Sequence, residues 1–172
     1  FLSDPRVVEL PAVLWKIILH GIILRTRPAK SAHKYASIWT EEGSPLRVYT
    51  EKQAQGVSQC LQAQGLGDVR VAWAMRYGQP GIPEVMEKLR QEGCRRILVL
   101  PLYPQYAAST TGSSFDEVAR AMLSWRNIPE LRMVRNFHDH PGYIHALAAS
   151  VEAHWAKEGR PNVLLMSFHG LP

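Results

Sequence analysis

The sequence predicts an α/β domain, a Rossmann-like parallel β-sheet with helices on both faces. Three observations lead to this fold class. Short apolar segments alternate with longer helical patterns over residues 69–168, which is the order of strands and helices in a parallel sheet. The segment "RILVLPL" at 96–102 is an unbroken apolar run, as expected for a strand buried on both faces. The 172 residues contain no low-complexity tract or internal repeat, so we expect a single domain.

The first helix is predicted in the most apolar segment, "PAVLWKIILHGIIL" at 11–24. Its apolar positions lie near helical spacing, and the basic segment "RTRPAK" follows at once. The segment is interrupted by Lys16 and His20 and is shorter than the roughly 20 apolar residues that cross a bilayer. We expect a helix partly exposed at a binding or interfacial surface, and an ordinary core helix is the alternative.

Two further helices and a strand are predicted before the central apolar run. A turn at 41–45 ("EEGSP") precedes a helix over 49–64, which Gly65 ends. The segment "VRVAWAM" at 69–75 is β-branched and apolar enough for a strand. An amphipathic helix follows over 82–93, and its last residue is a glycine.

The same order of strand and helix repeats in the second half of the chain. The strand at 96–102 precedes a helix over 113–125 with acidic residues in its first turn. A strand at 131–137, a helix over 142–159 and a strand at 162–168 complete the pattern. Strands that alternate with helices in this way predict a parallel sheet covered by helices.

The composition favours a small acidic ligand over nucleic acid. The formal net charge is +5, yet the basic residues are scattered among 15 acidic ones and form no long block of Lys and Arg. Cys60 and Cys94 lie far apart without a CxxC motif, so neither a disulfide framework nor a zinc site is indicated. A cytoplasmic location is therefore expected, and residues 11–24 do not have the pattern of a secretory signal.

Polar, aromatic and histidine residues follow each predicted strand. In open parallel sheets, ligands bind outside the carboxyl ends of the strands, where loops and helix N-termini converge. The segments at these ends are therefore expected to build one shared pocket. They are "RYGQP" (76–80), "YPQYAASTTGSS" (103–114), "NFHDH" (136–140) and "FHGLP" (168–172).

The hydroxyl run before residue 115 also has a structural interpretation. Ser113 or Ser114 is expected to cap the following helix, with Asp116 or Glu117 completing a capping box. This role does not exclude contact with a ligand. The run lacks the lysine of a P-loop and is not a GxGxxG motif, which argues against nucleotide binding.

Arg76 and Tyr77 have two interpretations as well. A surface cation beside an amphipathic ring is the commoner one. The alternative is a guanidinium that binds a ligand carboxylate through two N–H groups, which would fit the net positive charge of the chain.

The histidines near the strand ends are not equivalent. His138 and His140 flank Asp139 in a loop, where a solvated turn or a helix cap is more common than a metal site. His169 follows an apolar run directly and precedes "GLP", which prevents a helix from starting at once. It is a candidate functional residue, and a buried structural histidine is the alternative.

Five segments in order along the chain resemble those of bacterial ferrochelatases, which insert ferrous iron into protoporphyrin IX in the last step of haem synthesis. The resemblance covers essentially the whole chain. Other chelatases, such as those acting on sirohydrochlorin, share the architecture but are not expected to carry "PLYPQY…STTGS". The five segments are "FLSDPRVVELP", "YASIWTEEGSPL", "MRYGQP", "LPLYPQYAASTTGS" and "SFHGLP".

The resemblance implies a role for individual residues. His169 matches the active-site histidine, proposed to bind the incoming metal or to take protons from the pyrrole nitrogens, and an imidazole suits both tasks. The segment 11–24 resembles the lip of the porphyrin cleft, and Arg25 matches a position near the propionates. The residues that match pocket-lining positions are Ser44, Arg76, Tyr77 and the loop from Tyr103 to Ser114, which includes Tyr106.

The resemblance further implies that residues 1–172 form one N-terminal lobe of a two-lobe enzyme. The first strand and a C-terminal lobe, which carries a glutamate facing the histidine, are expected to lie outside this sequence, so the chain alone should not be a competent catalyst. Fe²⁺ and protoporphyrin IX are the implied substrates and nucleic acid is not a partner. The lip is compatible with a peripheral membrane contact. An iron–sulfur cluster and the oligomeric state stay open.

Three other functions are alternatives to ferrochelatase activity. One is a non-catalytic tetrapyrrole-binding module. Another is a cobalt or sirohydrochlorin chelatase with the same architecture. A nucleotide-binding domain is the least favoured.

Overall fold

The computed structural model of the chain describes residues 2–8 and 10–168. Helices alternate with a parallel sheet, so the predicted α/β class is confirmed. Two π-helical segments, Leu19–Ile23 and Ala108–Gly112, run directly into the helices that follow them. The regular elements are α1 (Ala12–Ile18), α2 (Leu24–Thr26), α3 (Pro28–Ala36), α4 (Pro45–Ala63), α5 (Ile82–Gln91), β1 (Arg96–Val99), α6 (Ser113–Met122), β2 (Glu130–Met133) and α7 (Pro141–Glu158).

The sheet is a parallel pair of strands joined through a helix. β1 and β2 run side by side from the Arg96–Glu130 pair to the Val99–Met133 pair. The connection between them contains α6, so residues 96–133 form a βαβ unit. Because the strands are parallel, their carboxyl ends lie at the same edge of the sheet.

The core lies on one face of this sheet. Ile97 is buried on β1, and Val99, two residues on, packs against the same cluster because alternate side chains share a face. On α6, Val118 and Met122 are one turn apart and both are buried. Met86 of α5 completes the buried cluster. The amphipathic patterns of α5 and α6 therefore place both helices over the sheet.

The opposite face of the sheet differs from the prediction. The sequence predicts helices on both faces, yet Leu98, which points away from the core, is 65% exposed. The long helices α4 and α7 contain no buried residue among those described. In the described part of the chain, helices thus cover one face of the sheet.

Two of the four predicted strands are present. Residues 69–75 are outside any ladder except for a bridge from Met75 to Gly81, and residues 162–168 form no strand. A strand needs a neighbouring backbone to accept and donate its hydrogen bonds, and apolar composition alone does not supply one. β1 and β2 are also shorter at their carboxyl ends than predicted, and Pro101 and Pro104 follow β1 where an N–H donor would be needed to extend it.

The apolar segment 11–24 is helical and largely exposed, as predicted, rather than an ordinary core helix. Leu19 is 2% exposed and Trp15 donates its indole N–H to the Leu2 carbonyl at 2.7 Å. These two contacts fix one side of the segment, whereas Val13 and Ile17 are 76% and 66% exposed. Within the described residues, no helix is long and apolar enough to span a membrane.

Helix starts follow local capping chemistry. α4 begins at Pro45, four residues before the predicted start, because the Ser44 hydroxyl accepts a hydrogen bond from the Arg47 N–H and proline is well suited to the first helical position. α7 is capped by His140, whose Nδ1 accepts from the Gly142 N–H at 3.1 Å. His140 is thus a helix cap, as its position in the loop suggests.

Candidate functional site

The carboxyl edge of the sheet is held by hydrogen bonds beyond the ends of both strands. The Val134 N–H donates to the Val99 carbonyl at 3.0 Å, and the Phe137 N–H donates to the Pro104 carbonyl at 2.9 Å. The segment after β2 therefore lies alongside the loop after β1. Aromatic and charged side chains from both segments meet here.

Arg76 lies at this edge with its guanidinium fully engaged by the protein. Nη2 donates to Asp4 Oδ2 at 2.7 Å, and Nε donates to the Ser113 hydroxyl and carbonyl at 2.7 and 3.0 Å. Nη1 lies 3.3 Å from a Glu117 carboxylate oxygen. The Arg76 side chain is 16% exposed. All three nitrogens are therefore directed at groups of the chain itself.

Asp4 is the centre of this arrangement. Its side chain is 7% exposed, and its carboxylate accepts hydrogen bonds from Arg76, from the hydroxyls of Tyr77 and Ser113, and from the Arg6 N–H. Burial opposes ionisation of the carboxyl, but the hydrogen bonds from Ser113, Tyr77 and Arg6 and the charge of Arg76 outweigh it and lower the pKa to about 2. Asp4 is therefore a carboxylate at any physiological pH.

A second ion pair ties the same N-terminal segment to α6. Arg6 donates to both oxygens of Asp116, from Nε at 2.7 Å and from Nη2 at 2.9 Å. This bidentate hydrogen bonding lowers the pKa of the Asp116 carboxyl. The segment that contains Asp4 and Arg6 is thus anchored to the first turn of α6 at two points.

Tyr77 completes the cluster. Its hydroxyl donates to Asp4 Oδ2 at 2.7 Å and lies 3.1 Å from the Ser113 hydroxyl oxygen. The Arg76 guanidinium lies 4.5 Å from the centre of the Tyr77 ring. Burial is the main cause that raises the pKa of the Tyr77 hydroxyl, so the phenol stays protonated as a donor to Asp4.

The predicted capping role of Ser113 and Ser114 is wrong. Helical structure begins earlier, at the π-helical segment Ala108–Gly112, so α6 continues an existing helix and has no side-chain cap. Ser113 instead bonds to Asp4 and Arg76, and the Ser114 hydroxyl donates to the Thr110 carbonyl at 2.9 Å. Asp116 pairs with Arg6, which is not a capping-box interaction.

The aromatic loop after β1 carries the two tyrosines predicted for the pocket wall. Tyr103 is 38% exposed, and Tyr106 is half-buried. The guanidinium of Arg135, which follows β2, lies 4.2 Å from the centre of the Tyr106 ring. The Thr111 hydroxyl is fully buried and has no hydrogen-bond partner among the described residues.

The remaining predicted site residues lie elsewhere or outside the description. Arg25 is exposed on α2, and Ser44 caps α4. Among the described residues, no hydrogen bond or ion pair joins either of them to the group formed by Asp4, Arg76, Tyr77 and Ser113. His169 lies outside the described residues. Within those ranges there is no group of His, Cys, Asp and Glu able to hold a metal ion.

Sequence reasoning missed Asp4, Arg6 and Arg135. The partners of the first two lie 72 and 110 positions away along the chain, so no local spacing could reveal them. Arg135 stands directly before "NFHDH", a segment chosen for its histidines. An arginine near the carboxyl end of a predicted strand is the one signal that could have identified it.

Comparisons with known proteins give a consistent result. A family model described as ferrochelatase matches residues 1–172. Over all 172 residues, the chain is 62% identical to a ferrochelatase of an Azoarcus species and 60% identical to one of Aromatoleum aromaticum, covering 47% of each relative. It is 59% identical to a ferrochelatase of Herminiimonas arsenicoxydans, covering 46% of that protein. The chain thus spans about half the length of the curated relatives it matches.

Proposed function

The chain belongs to the ferrochelatase family, and from this premise we propose that it forms part of an enzyme that inserts Fe²⁺ into protoporphyrin IX to give protohaem. The family match over residues 1–172 carries the proposal. The exposed aromatic residues at the carboxyl edge of the sheet support it, because this is where parallel α/β sheets bind ligands. Fe²⁺ and the porphyrin are both substrates in this reaction.

We further propose that residues 1–172 are a single N-terminal lobe and contribute one wall of the porphyrin cleft. The chain is cytoplasmic in this proposal, in keeping with two distant cysteines and no CxxC motif. The exposed apolar side of α1 is the surface available for the edge of the macrocycle, and also for a peripheral membrane contact. Arg25 and Ser44 are proposed to bind the polar periphery of the substrate.

The tyrosines and Ser114 would shape the wall of the cleft. Tyr77, Tyr103 and Tyr106 all belong to segments at the carboxyl edge and are at least partly exposed. Aromatic faces suit a flat macrocycle, which stacks against them. Ser114 would contribute through its position, since its hydroxyl already donates to the Thr110 carbonyl.

Arg76 is not proposed to bind a carboxylate of the substrate directly. Its nitrogens are taken up by Asp4, Ser113 and Glu117. Displacing these contacts would leave the Asp4 carboxylate, which is 7% exposed, without its arginine, and such a loss is costly at a largely buried site. We therefore propose that Arg76 borders the cleft and holds the Tyr77 ring in place, as its position 4.5 Å from the ring centre suggests.

His169 is the proposed catalytic residue. Metal insertion requires the loss of two pyrrole N–H protons as nitrogen lone pairs turn to the metal. A neutral imidazole can accept such a proton near neutral pH, and it can also bind Fe²⁺ on its way to the macrocycle. Only interactions that are stronger in the distorted transition state than with the flat porphyrin raise the rate.

Replacement of His169 in the full-length protein tests the proposal. His169→Ala should lower the rate of anaerobic iron insertion, followed by porphyrin absorbance, by about 100-fold or more, the usual contribution of a positioned proton acceptor. His154→Ala is the matched control, because His154 is an exposed histidine on α7, outside the segments at the carboxyl edge of the sheet. Near-normal turnover of His169→Ala would remove this residue from the mechanism. A wild-type protein that retains porphyrin without turnover would instead be a non-catalytic tetrapyrrole-binding protein.

A further inference from the structure

Three acidic residues near the start of α6 and the carboxyl edge of the sheet, Asp4, Asp116 and Glu117, are neutralised by arginines. Asp4 pairs with Arg76, and Asp116 pairs with Arg6. Glu117 lies between Arg76 and Arg120 and pairs with both. Three carboxylates are thus balanced by three guanidinium groups, and this cluster offers neither excess charge nor a free donor fork to a ligand.

Arg135 is the additional cation at this edge. It follows β2 by two residues and is exposed. Among the described residues it forms no ion pair with any carboxylate, and its contact is with the ring of Tyr106. Arg135 therefore supplies a positive charge that the described part of the chain does not neutralise.

The position of Arg135 is fixed by its surroundings. The backbone on either side is held by the Val134–Val99 and Phe137–Pro104 hydrogen bonds, at 3.0 and 2.9 Å. The guanidinium lies 4.2 Å from the ring centre of Tyr106, within the range of a cation–π interaction. Among the described residues, the N–H groups of this guanidinium donate no hydrogen bond, so they are available to a ligand. Because the Arg135 guanidinium is already held in place, it loses little conformational entropy when it binds a carboxylate.

Tyr106 is held in turn by the helix behind it. Its hydroxyl lies 3.1 Å from the point that a Cβ at Gly112 would occupy, and Arg6 Nη1 lies 3.7 Å from the same point. The ring is therefore packed between the start of α6 and Arg135. The Tyr106 ring therefore lies between Arg135 and the ion pairs that Asp4, Asp116 and Glu117 form with arginines.

From this geometry we infer that Arg135 binds a carboxylate of the substrate, with the Tyr106 ring as its platform. The inference rests on the proposed function, in which the carboxylate is a propionate of protoporphyrin IX. Arg76 and Arg6 cannot take this role without breaking the ion pairs described above. Arg135 would thereby set the preference of the cleft for a porphyrin that carries free acid groups.

The test compares two substrates in the full-length enzyme, protoporphyrin IX and its dimethyl ester, which lacks the negative charges. Arg135→Gln should raise KM for the free acid by about 10-fold or more, the magnitude of one charge-assisted hydrogen bond, and leave kcat within about 2-fold. KM for the diester should not change. Arg135→Lys keeps the charge but not the fork, and should restore part of the loss.

Arg126→Gln is the matched control. Arg126 is also an exposed arginine, but it lies in the connection that leads into the amino end of β2, at the opposite edge of the sheet. It should leave both KM values unchanged. Equal effects of Arg135→Gln on acid and diester, or equal effects of the two variants, would overturn the inference.

A binding measurement separates this inference from the proposed function. Quenching of porphyrin fluorescence on addition of the full-length protein reports binding without turnover. Wild type should bind the free acid more tightly than the diester, and Arg135→Gln should lose that difference even if the protein inserts no iron. Retention of the full difference in Arg135→Gln would contradict a carboxylate contact, whatever the result for activity.

Discussion

Asp4 shows how one carboxylate can organise side chains from distant parts of the chain. It accepts hydrogen bonds from Arg76, Tyr77 and Ser113, which follow it by 72, 73 and 109 positions. Removing one partner of a buried ion pair costs more than the pair itself contributes, because the remaining charge is left without compensation. Asp4 and Arg76 are therefore expected to be sensitive to single substitutions, even though neither is proposed to react with substrate.

The pH dependence of stability should reveal the Asp4 carboxylate. Its pKa is about 2 in the fold against an ordinary value of 3.8. A depressed carboxyl pKa stabilises the fold above the unfolded pKa, and this contribution is lost as pH falls through the folded pKa. The shift corresponds to about 2 kcal/mol. We predict that Asp4→Asn lowers the free energy of unfolding of the full-length protein at pH 6, and that the deficit shrinks between pH 4 and pH 2.

Urea unfolding across this pH range measures both effects. Asp68→Asn is the control, since Asp68 is exposed and forms no ion pair among the described residues. It should change the free energy of unfolding by less than about 0.5 kcal/mol at every pH. A deficit for Asp4→Asn that stays constant down to pH 2 would show that packing, rather than the charge, accounts for the loss.

At the scale of elements, the π-helical segment Ala108–Gly112 sets the position of the Tyr106 ring. Gly112 has helical backbone angles, φ −61° and ψ −46°, so alanine would suit its conformation and would be favoured by about 1 kcal/mol in a helix interior. The space is the constraint, because a Cβ would lie 3.1 Å from the Tyr106 hydroxyl. The glycine therefore allows the close approach of Tyr106.

A double-mutant cycle should detect that approach. We predict that Gly112→Ala is more favourable for stability in a Tyr106→Phe background than in the wild type, by roughly 0.5–1 kcal/mol, because the variant ring lacks the hydroxyl that the new methyl group meets. Thermal or urea unfolding of the four proteins gives the coupling energy. Gly56→Ala in α4 is the reference, since a Cβ there meets nothing within 4 Å. Equal effects of Gly112→Ala in both backgrounds would mean that the ring moves away freely.

The elements also show which parts of the fold the sequence can predict. β1, α5, α6 and β2 are close to their predicted positions, because a short apolar run or the helical spacing of apolar residues indicates the type of element. Residues 69–75 and 162–168 have the composition of strands, but pairing depends on a neighbour that composition does not provide. For the same reason, the sequence indicated Arg76 and Ser113 as candidates but not Asp4, the residue that joins them. The placement of His169 among these groups stays a prediction.

At the scale of the whole molecule, the two faces of the sheet have different surroundings. One face packs against α5 and α6, whereas Leu98 on the other is 65% exposed in the described part of the chain. The chain spans about half the length of its relatives. We propose that in the full-length protein further secondary structure covers this face, as expected for a parallel sheet.

Paired substitutions on β1 should distinguish the two faces. Ile97→Ala removes buried side-chain atoms from the core and should cost about 2–4 kcal/mol of unfolding free energy wherever residues 1–172 are folded. Leu98→Ala should cost less than about 0.5 kcal/mol in a protein limited to residues 1–172, since most of its side chain is already in water. In the full-length protein the same change should cost about 2 kcal/mol or more, because covering the second face buries Leu98. Urea unfolding of each variant, in the full-length protein and in the protein limited to residues 1–172, gives the four changes in unfolding free energy. A small cost of Leu98→Ala in both would show that this face of the sheet stays open in the complete protein, and would count against a parallel sheet covered on both sides.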